Sequence, residues 1–168
     1  MTEKRVYEIY TDGCCLGNPG RGGYGVLLLT PGERKELSGG FRLTTNSRME
    51  LMAAIAGLQT LQQPARVRLH SDSRYLVDAM QRGWAKRWHD QGWRRTGKRR
   101  VQNVDLWKQL IELDEKHEVV YLWVKGHNNC LENERCDMLA MQAALQTNLP
   151  PDTGYEIPSS PIPGLFDN

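Results

Sequence analysis

The sequence contains no long apolar segment. No run approaches the roughly 20 apolar residues that a membrane-spanning helix needs, and the chain begins with the polar residues 1–5. We therefore predict neither an export signal nor a membrane span.

Cysteine patterns typical of disulfides or metal clusters are also missing. Cys14, Cys15, Cys130 and Cys136 form no C-x-x-C pair, and two of them are adjacent. This arrangement suits neither a disulfide framework nor a zinc cluster. It favours reduced thiols and a protein of the cytoplasm.

The composition excludes disorder over most of the length. Hydrophobic residues make up 39% and charged residues 25% of the 168 residues, as in ordinary globular proteins. The length suits one compact domain and leaves little room for a second.

The small net charge conceals a segregated distribution. Residues 82–100, which we call the basic segment, contain eight basic residues and one acidic residue, a balance of +7. Since the whole chain carries only +2, the remainder carries −5. This separation predicts a polyanion-binding surface on one element and a surplus of carboxylates elsewhere.

Residue patterns predict five strands in a mixed α/β fold. They lie at residues 6–10, 24–30, 36–44, 67–70 and 119–124, with Gly39 and Gly40 weakening the third strand or marking a bulge. The first three read as an antiparallel meander. Helices between the fourth and fifth make those two parallel by the right-handed crossover rule.

Helical spacing of apolar residues alternates with these strands. We predict helices over residues 46–62, from Ser73 to about residue 80, within the basic segment, after Asn103 as a cap, and over residues 131–146. Residues 1–148 then form the folded domain, including the basic segment. Residues 149–168 hold five of the eight prolines, so we predict an extended or disordered tail there.

Three of four acidic residues at the predicted element ends have an ordinary structural explanation. Asp12, at the end of the first strand, could belong to an Asp-Gly turn. Glu50 follows Ser47 with the spacing of a capping box, and Asp72 could cap a helix. Taken singly, these explanations are the better ones.

Asp137 is harder to explain structurally. It lies within the last predicted helix, has no cation three or four residues away, and borders an apolar stripe. An acid tolerated at that boundary is a candidate ligand.

Together, the four carboxylates predict a metal site. If strands one and four are adjacent, Asp12 and Asp72 can lie side by side, with Glu50 and Asp137 supplied by helices. Such a cluster would repel itself without cations, and hard oxygen ligands suit Mg²⁺ or Mn²⁺. Two ions about 4 Å apart could support an in-line displacement at phosphorus.

The sequence resembles bacterial type-1 ribonuclease H from residue 5 to about residue 155. The resemblance rests on the following motifs in order: Tyr10-Thr11-Asp12-Gly13, Gly17-Asn18-Pro19-Gly20, Gly22-Gly23-Tyr24-Gly25, Thr45-Asn46-x-Arg48-Met49-Glu50-Leu51, Ser71-Asp72-Ser73, Asn103-Val104-Asp105-Leu106-Trp107, Trp123-Val124-Lys125-Gly126-His127 and Glu132-Asn133-Glu134-Arg135-Cys136-Asp137. So many ordered motifs are far more specific than any one alone.

This resemblance implies a monomeric endonuclease that cuts the RNA strand of RNA–DNA hybrids and leaves 5′-phosphate and 3′-hydroxyl ends. It implies two Mg²⁺ ions on Asp12, Glu50, Asp72 and Asp137, with Mn²⁺ as a substitute, and no obligate protein partner. His127 resembles the family's mobile histidine, which shuttles protons or aids product release.

The resemblance also implies nucleic-acid contacts on two surfaces. Asn18 and Asn46 would read the RNA minor groove, and Thr45 and Asn103 would form part of a DNA-phosphate pocket. The basic segment is similar to the family's basic handle, although at least one of its tryptophans should serve the handle's own small core. Its expected contacts are Trp84, Trp88, Arg94, Arg95, Lys98, Arg99 and Arg100.

Several positions depart from the family pattern. Ser47 replaces a usual asparagine, and Leu43 stands where an arginine is common, although Arg42 precedes it. Residues 128–131 replace the usual glycine and histidine after His127. We expect these departures to affect hybrid affinity and rate.

Two other functions are compatible with parts of this pattern. A non-catalytic hybrid-binding module would have no need of all four acids. A related phosphoryl transferase acting on DNA would share the acids but would not predict the basic segment or the segments around Asn18 and Asn46. Cleavage assays on hybrid, duplex DNA, duplex RNA and single strands separate the three.

Overall fold

A five-stranded mixed sheet forms the centre of the molecule. The computed structural model describes residues 5–94, 99–126 and 130–157. The strands are β1 (Val6–Cys15), β2 (Gly20–Thr30), β3 (Glu33–Thr44), β4 (Arg66–Ser71) and β5 (Glu118–Trp123), in the order β3-β2-β1-β4-β5. The first three are antiparallel, and β4 runs parallel to both β1 and β5. The predicted fold class and the parallel β4–β5 pair are confirmed. Strands β1 and β4 are adjacent, which is the condition on which the predicted metal site depended.

Helices cover both faces of this sheet. They are α1 (Asn46–Gln59), α2 (Arg74–Gln81), α3 (Trp84–Asp90), α4 (Val104–Lys116), α5 (Leu131–Ala144) and the short α6 (Thr153–Glu156). On one face, α1 packs against Ile9 and Val26 through Gly57. On the other, the backbone of α5 lies against β2 at Gly25. The main apolar core lies between the sheet and α1, α2 and α4.

Helix α1 is held by a cap and by its buried face. The Thr45 hydroxyl accepts a hydrogen bond from the Arg48 amide at 3.3 Å, so Thr45, not Ser47, is the cap and the capping-box explanation of Glu50 is wrong. Leu51, Ile55 and Leu58 are fully buried, and each such side chain contributes roughly 1.5–3 kcal/mol. The helix ends at Gln59, earlier than predicted.

Strand β1 is longer than predicted and contains Asp12. Asp12 pairs with Gly25, and the ladder continues to Cys15 opposite Gly22. The predictions that Asp12 ends its strand or makes an Asp-Gly turn are therefore wrong. Strand β2 also begins earlier than predicted, at Gly20 rather than residue 24, and Gly23 and Gly25 within it lie against the backbone of α5.

The sheet irregularity lies away from the predicted place. Gly39 and Gly40 pair regularly with Tyr24 and Gly23, whereas the register shifts between Gly20 and Gly22. The bulge considered at Gly39-Gly40 is therefore absent from this ladder.

The first part of the predicted tail is folded. The Arg42 amide donates to the Pro150 carbonyl at 2.9 Å, Asp152 is buried, and α6 follows it. The prediction of an extended or disordered tail is therefore wrong for α6 (Thr153–Glu156). Residues 149–152 form no helix or strand, but the contacts of Pro150 and Asp152 attach them to the fold. Residues 158–168 lie outside the described residues.

Candidate active site

Three of the four predicted carboxylates meet beside the adjacent inner strands β1 and β4. Asp12 comes from the middle of β1, Glu50 from the second turn of α1, and Asp72 from the residue after β4. One oxygen from each lies within 4.8 Å of the others. Asp137, half-buried on α5, is outside this mutually close group, but its charge raises the pKa of Asp12. The structure thus brings three acids together and places the fourth beside them.

Close backbone packing at two glycines positions the two acids that lie on helices, Glu50 and Asp137. A Cβ at Gly13 would lie 2.5 Å from the Glu50 amide nitrogen, so only glycine lets α1 approach the strand next to Asp12. On the opposite face, a Cβ at Gly25 would overlap the Cys136 carbonyl of α5, one residue before Asp137. Since Gly25 pairs with Asp12, both helices are positioned around the same acid.

The acids strongly disturb one another's ionisation. Burial, followed by the charges of Asp72 and Asp137, raises the pKa of Asp12 to about 8. Burial, followed by Asp12 and Asp72, holds the pKa of Glu50 well above its usual range. Acids shifted in this way by burial and like charge form a functional-site candidate.

One oxygen of Glu50 marks where a cation fits. The Glu50 Oε2 atom is buried and has no hydrogen-bond partner in the described part of the chain, and a buried polar atom without a partner is costly. Asp12 satisfies one of its own oxygens through the Gly13 amide at 2.9 Å. All donors in the cluster are carboxylate oxygens, the chemistry that hard divalent cations prefer.

Asp72 does not cap α2. The capping atom is the Ser73 hydroxyl, which accepts from the Leu76 amide at 3.2 Å. A Cβ at Gly126 would lie 2.9 Å from Asp72 Oδ2, so the loop after β5 closes on this carboxylate. His127 and residues 128 and 129 of that loop lie outside the described residues.

A groove of about 1050 Å³ contains three of the predicted nucleic-acid contacts. Asn18, Thr45 and Asn103 line it. Asn46 joins them through its backbone, because its amide donates to Asn18 Oδ1 at 3.2 Å. Asn103 occupies the N-cap position of α4, as predicted, but its side chain makes no capping hydrogen bond. Its amide group instead bonds Arg48 and Tyr75.

Sequence reasoning missed the charged centre of this groove. Arg48 is 2% exposed and binds Asp105 through Nη2 and Asp152 through Nε, both at 2.7 Å. The Thr44 hydroxyl donates to the same Asp152 oxygen at 2.7 Å. Arg48 and Asp105 lie inside the quoted motifs, but nothing local to Asp152 predicted a partner more than a hundred residues away.

The arginine that could replace the family's usual pocket cation is already engaged. Arg42 binds Glu156 of α6 at 3.0 Å, and Leu43, in the usual arginine position, is 38% exposed. Lys108 also lines the groove, and its ammonium group lies 6.0 Å from the centroid of the Trp93 ring. Ser47 lines the groove as well.

The basic segment packs on the core through its aromatic residues. Trp84, Trp88 and Trp93 are partly buried against it, and the Trp88 ring meets Trp107 edge-on at 5.6 Å. The tryptophans therefore have a packing role, but they pack on the main core rather than on a small core of the handle's own, which was the prediction for at least one of them. Arg94, Arg99 and Arg100 are exposed, while Arg95 and Lys98 lie outside the described residues.

Comparison with known proteins gives this arrangement a family. The RNase H family model matches residues 4–145, most of the chain. The chain belongs to the ribonuclease H family. Ribonuclease H of Rippkaea orientalis is 60% identical over 148 residues, which are 88% of this chain and 91% of the relative. Ribonuclease H of Trichodesmium erythraeum is 54% identical over 93% of this chain and all of its own length.

Solved ribonuclease H structures share the fold. LC9-RNase H1, described as a type 1 RNase H with the type 2 active-site motif, has a TM-score of 0.75 and 33% identity, covering 86% of this chain and 74% of that one. LC11-RNase H1, solved with an RNA/DNA hybrid, has a TM-score of 0.59 and 23% identity over 82% of this chain and 96% of its own. Ribonucleases H are metal-dependent, which agrees with the buried acidic cluster.

The described part of the chain has no helix with the length and apolar character that crossing a bilayer requires. The four cysteines are unpaired.

Proposed function

We propose that the carboxylate cluster and the adjoining groove form one site that cuts RNA paired to DNA. The chain is a ribonuclease H and thus a hybrid-specific ribonuclease. The observation that carries the assignment of the site is the convergence of Asp12, Glu50 and Asp72 within 4.8 Å. Cleavage would leave a 5′-phosphate and a 3′-hydroxyl.

Asp12, Glu50, Asp72 and Asp137 would hold two Mg²⁺ ions, with Mn²⁺ able to replace them. Bound divalent ions would supply an activated water and stabilise charge on the leaving oxygen. The unpartnered Glu50 oxygen and the raised pKa of Asp12 support this proposal, because each is relieved when a cation neutralises the cluster. Asp137 would complete the ligand set, which is supported by the effect of its charge on the pKa of Asp12.

His127 would carry a proton between the reacting oxygen and solvent. An imidazole titrates near neutrality, which suits that transfer. The approach of the preceding Gly126 to Asp72 supports a place beside the acids.

The groove would hold the hybrid by its backbones. Asn18 and Asn46 would meet the RNA strand, while Thr45 and Asn103 would bind a DNA phosphate with help from Lys108. The buried Arg48, already paired with two carboxylates, would position Asn103 rather than bind phosphate directly.

The basic segment would extend this contact along the duplex. Trp84, Trp88, Arg94, Arg95, Lys98, Arg99 and Arg100 would supply stacking or packing and phosphate neutralisation. We further propose a monomer of the cytoplasm without an obligate protein partner; the unpaired cysteines agree with a reducing compartment. The functional domain would extend past residue 148 to residue 157, since Asp152 is part of the groove's structure.

The test is a cleavage assay with one end-labelled sequence prepared as hybrid, duplex DNA, duplex RNA and single strands. In Mg²⁺, only the RNA of the hybrid should be cut. Asp72→Asn, which keeps the side-chain shape and removes a charge, should abolish cleavage while hybrid binding and circular dichroism stay normal. Near-normal cleavage by this variant would place the metal site elsewhere.

A matched control is Asp114→Asn. Asp114 is another acid in a polar contact, here with Tyr121 at 3.0 Å, but it lies on α4 outside the cluster. Its substitution should leave the cleavage rate within a few-fold of wild type.

A further inference from the structure

The backbone at Asp72 is held by a side chain from the neighbouring strand. The last β4–β5 pair joins Ser71 and Trp123, and the Val124 amide donates to the Ser71 carbonyl at 2.9 Å. At the next residue the indole Nε1 of Trp123 donates to the Asp72 carbonyl at 3.2 Å. The indole hydrogen bond therefore joins the backbone of Asp72 to β5, one residue beyond the last backbone pair of the two strands.

Burial alone does not hold Trp123 in this position. Its side chain is 40% exposed, so a second contact has to define its rotamer. The Arg74 guanidinium lies 3.8 Å from the centroid of the indole ring, well within cation–π range. Because Arg74 begins α2, residues 72–74 contact both the edge and the face of the same indole.

The Asp72 carboxylate has little space in which to adjust. A Cβ at Gly126 would lie 2.9 Å from its Oδ2 atom, and the Asp12 and Glu50 oxygens are within 4.8 Å. Because Gly126 lies on one side and the other acids on another, a small rotation of the Asp72 backbone would change the distances between its carboxylate and the Asp12 and Glu50 oxygens.

We propose that Trp123 is a positioning residue for Asp72 and that Arg74 fixes the indole for this task. The inference rests on the proposed role of Asp72 as a metal ligand. Partners that orient ligands typically change metal affinity or activity by about 10- to 100-fold. The partner here is a backbone carbonyl, so we expect an effect at the lower end of that range.

The deciding measurement is Mn²⁺ binding to the full chain by calorimetry, with activity as a second readout. Trp123→Phe keeps a ring beneath Arg74 but removes the N–H donor. It should weaken Mn²⁺ binding by on the order of 10-fold and raise the Mn²⁺ concentration for half-maximal cleavage equally. At saturating Mn²⁺, kcat and the KM for hybrid should return close to wild type.

Arg74 is tested with a conservative pair. Arg74→Gln should weaken Mn²⁺ binding several-fold, and Arg74→Lys, which keeps a cation for the ring, should restore much of the affinity. If Arg74→Gln raised the KM for hybrid and left Mn²⁺ affinity unchanged, Arg74 would serve substrate instead, and its part of the proposal would be wrong.

The matched control is Tyr121→Phe, which removes a side-chain hydrogen bond from the same strand without touching Asp72. Removal of the bond from Tyr121 to Asp114 should lower Tm and leave Mn²⁺ affinity unchanged. If folded Trp123→Phe bound Mn²⁺ with wild-type affinity, the role of Trp123 would be overturned while the proposed metal site would stand. Wild-type Mn²⁺ binding that survives Asp72→Asn would overturn the proposed metal site as well.

Discussion

Arg48 in the first turn of α1 and Asp152 near the C-terminus form a buried ion pair in which Nε lies 2.7 Å from Oδ2. Their side chains are 3% and 5% exposed. Removing one partner of such a pair leaves a buried charge with too few counter-charges, and this costs about 3–5 kcal/mol. Asp105 still faces Arg48 from the other side.

Asp152→Asn should therefore lower the free energy of unfolding by about 3 kcal/mol, the low end of that range. Urea denaturation measures it. Glu156→Gln is the control, because its pair with Arg42 involves an arginine that is 59% exposed, and exposed pairs contribute at most about 1 kcal/mol. Equal decreases in the two variants would contradict the buried ion pair as the anchor of residues 149–157.

His117 should make the fold less stable in mild acid. Its Nδ1 accepts the Ala65 amide at 3.1 Å, and its Nε2 is buried without a partner among the described residues. Burial, with a smaller effect of Lys116, lowers its pKa below 6.5. The unfolded chain therefore binds the proton more readily, so this stability is present above about pH 6.5 and is lost as the pH falls toward the folded pKa.

Urea unfolding between pH 5 and 8 tests this expectation. His117→Asn keeps an acceptor for Ala65 and does not titrate, so it should flatten the fall in stability below pH 6.5. His89→Asn, a change at an exposed position, should keep the wild-type slope. An unchanged slope in His117→Asn would assign the acid sensitivity to other groups.

Asp12 should destabilise the protein when metal is removed. Its pKa, raised to about 8 from 3.8 by burial and by Asp72 and Asp137, means that the folded state binds the proton more tightly. The associated stability is present below about pH 4 and is lost as the pH rises through about 8. Each pH unit between about 4 and 7 costs about 1.4 kcal/mol. In EDTA at pH 7, Asp12→Asn should thus be more stable than wild type, by up to about 4 kcal/mol.

Thermal unfolding with EDTA and with Mg²⁺ measures this difference. Mg²⁺ should raise the Tm of wild type and have little effect on Asp12→Asn, because binding to the folded state alone stabilises it. If millimolar Mg²⁺ did not change the Tm of wild type, the result would contradict metal binding by the carboxylate cluster.

The exposed arginines of the basic segment should control the salt dependence of hybrid binding. Replacing Arg94, Arg99 and Arg100 with Ala should reduce the slope of log K against log salt by up to about 0.9 for each phosphate that is no longer neutralised. Turnover at saturating hybrid should change much less. A control with an equal change of charge on the sheet, Arg34, Arg66 and Arg68 to Ala, should leave the slope unchanged; similar slopes for both triples would show only a general charge effect.

His127→Ala should slow the chemical step by on the order of 10²-fold, the lower end for a general acid–base group, because residues 128–131 depart from the usual loop. Hybrid affinity should be nearly unchanged. Single-turnover rates over a pH series measure the effect. Equal rates and identical pH profiles in wild type and variant would leave the four carboxylates and their metals to account for the chemistry alone.

The order of the elements was predictable, while several boundaries were not. Periodicity identifies β4, β5 and α1 because their buried positions alternate with exposed ones or repeat at helical spacing. The predicted end of β1 was wrong because Asp12-Gly13 has the composition of a turn. Only the packing of α1 against Gly13 shows why an acid and a glycine stand together inside a strand.

The convergence of three acids was predicted by combining topology with resemblance, whereas the groove's charged centre was not predicted. Asp12 and Asp72 come together because β1 and β4 are adjacent, a condition that the sequence argument assumed and the structure supplies. The pairing of Arg48 with Asp152 has no periodic or local signal. Proline content favoured an open tail, whereas the contacts of Pro150, Asp152 and Glu156 attach residues 149–157 to the fold.

The close contacts at Gly13 and Gly25 make the distances between the acids largely independent of the residues that determine the stability of the fold. Because α1 and α5 meet the sheet there through main-chain atoms, the spacing of the acids depends little on the size of the apolar side chains elsewhere. Repacking core positions that contact neither glycine should thus alter heat tolerance without shifting the acids. Thermal stability can accordingly be engineered in the apolar core, and metal selectivity in the residues around the acids.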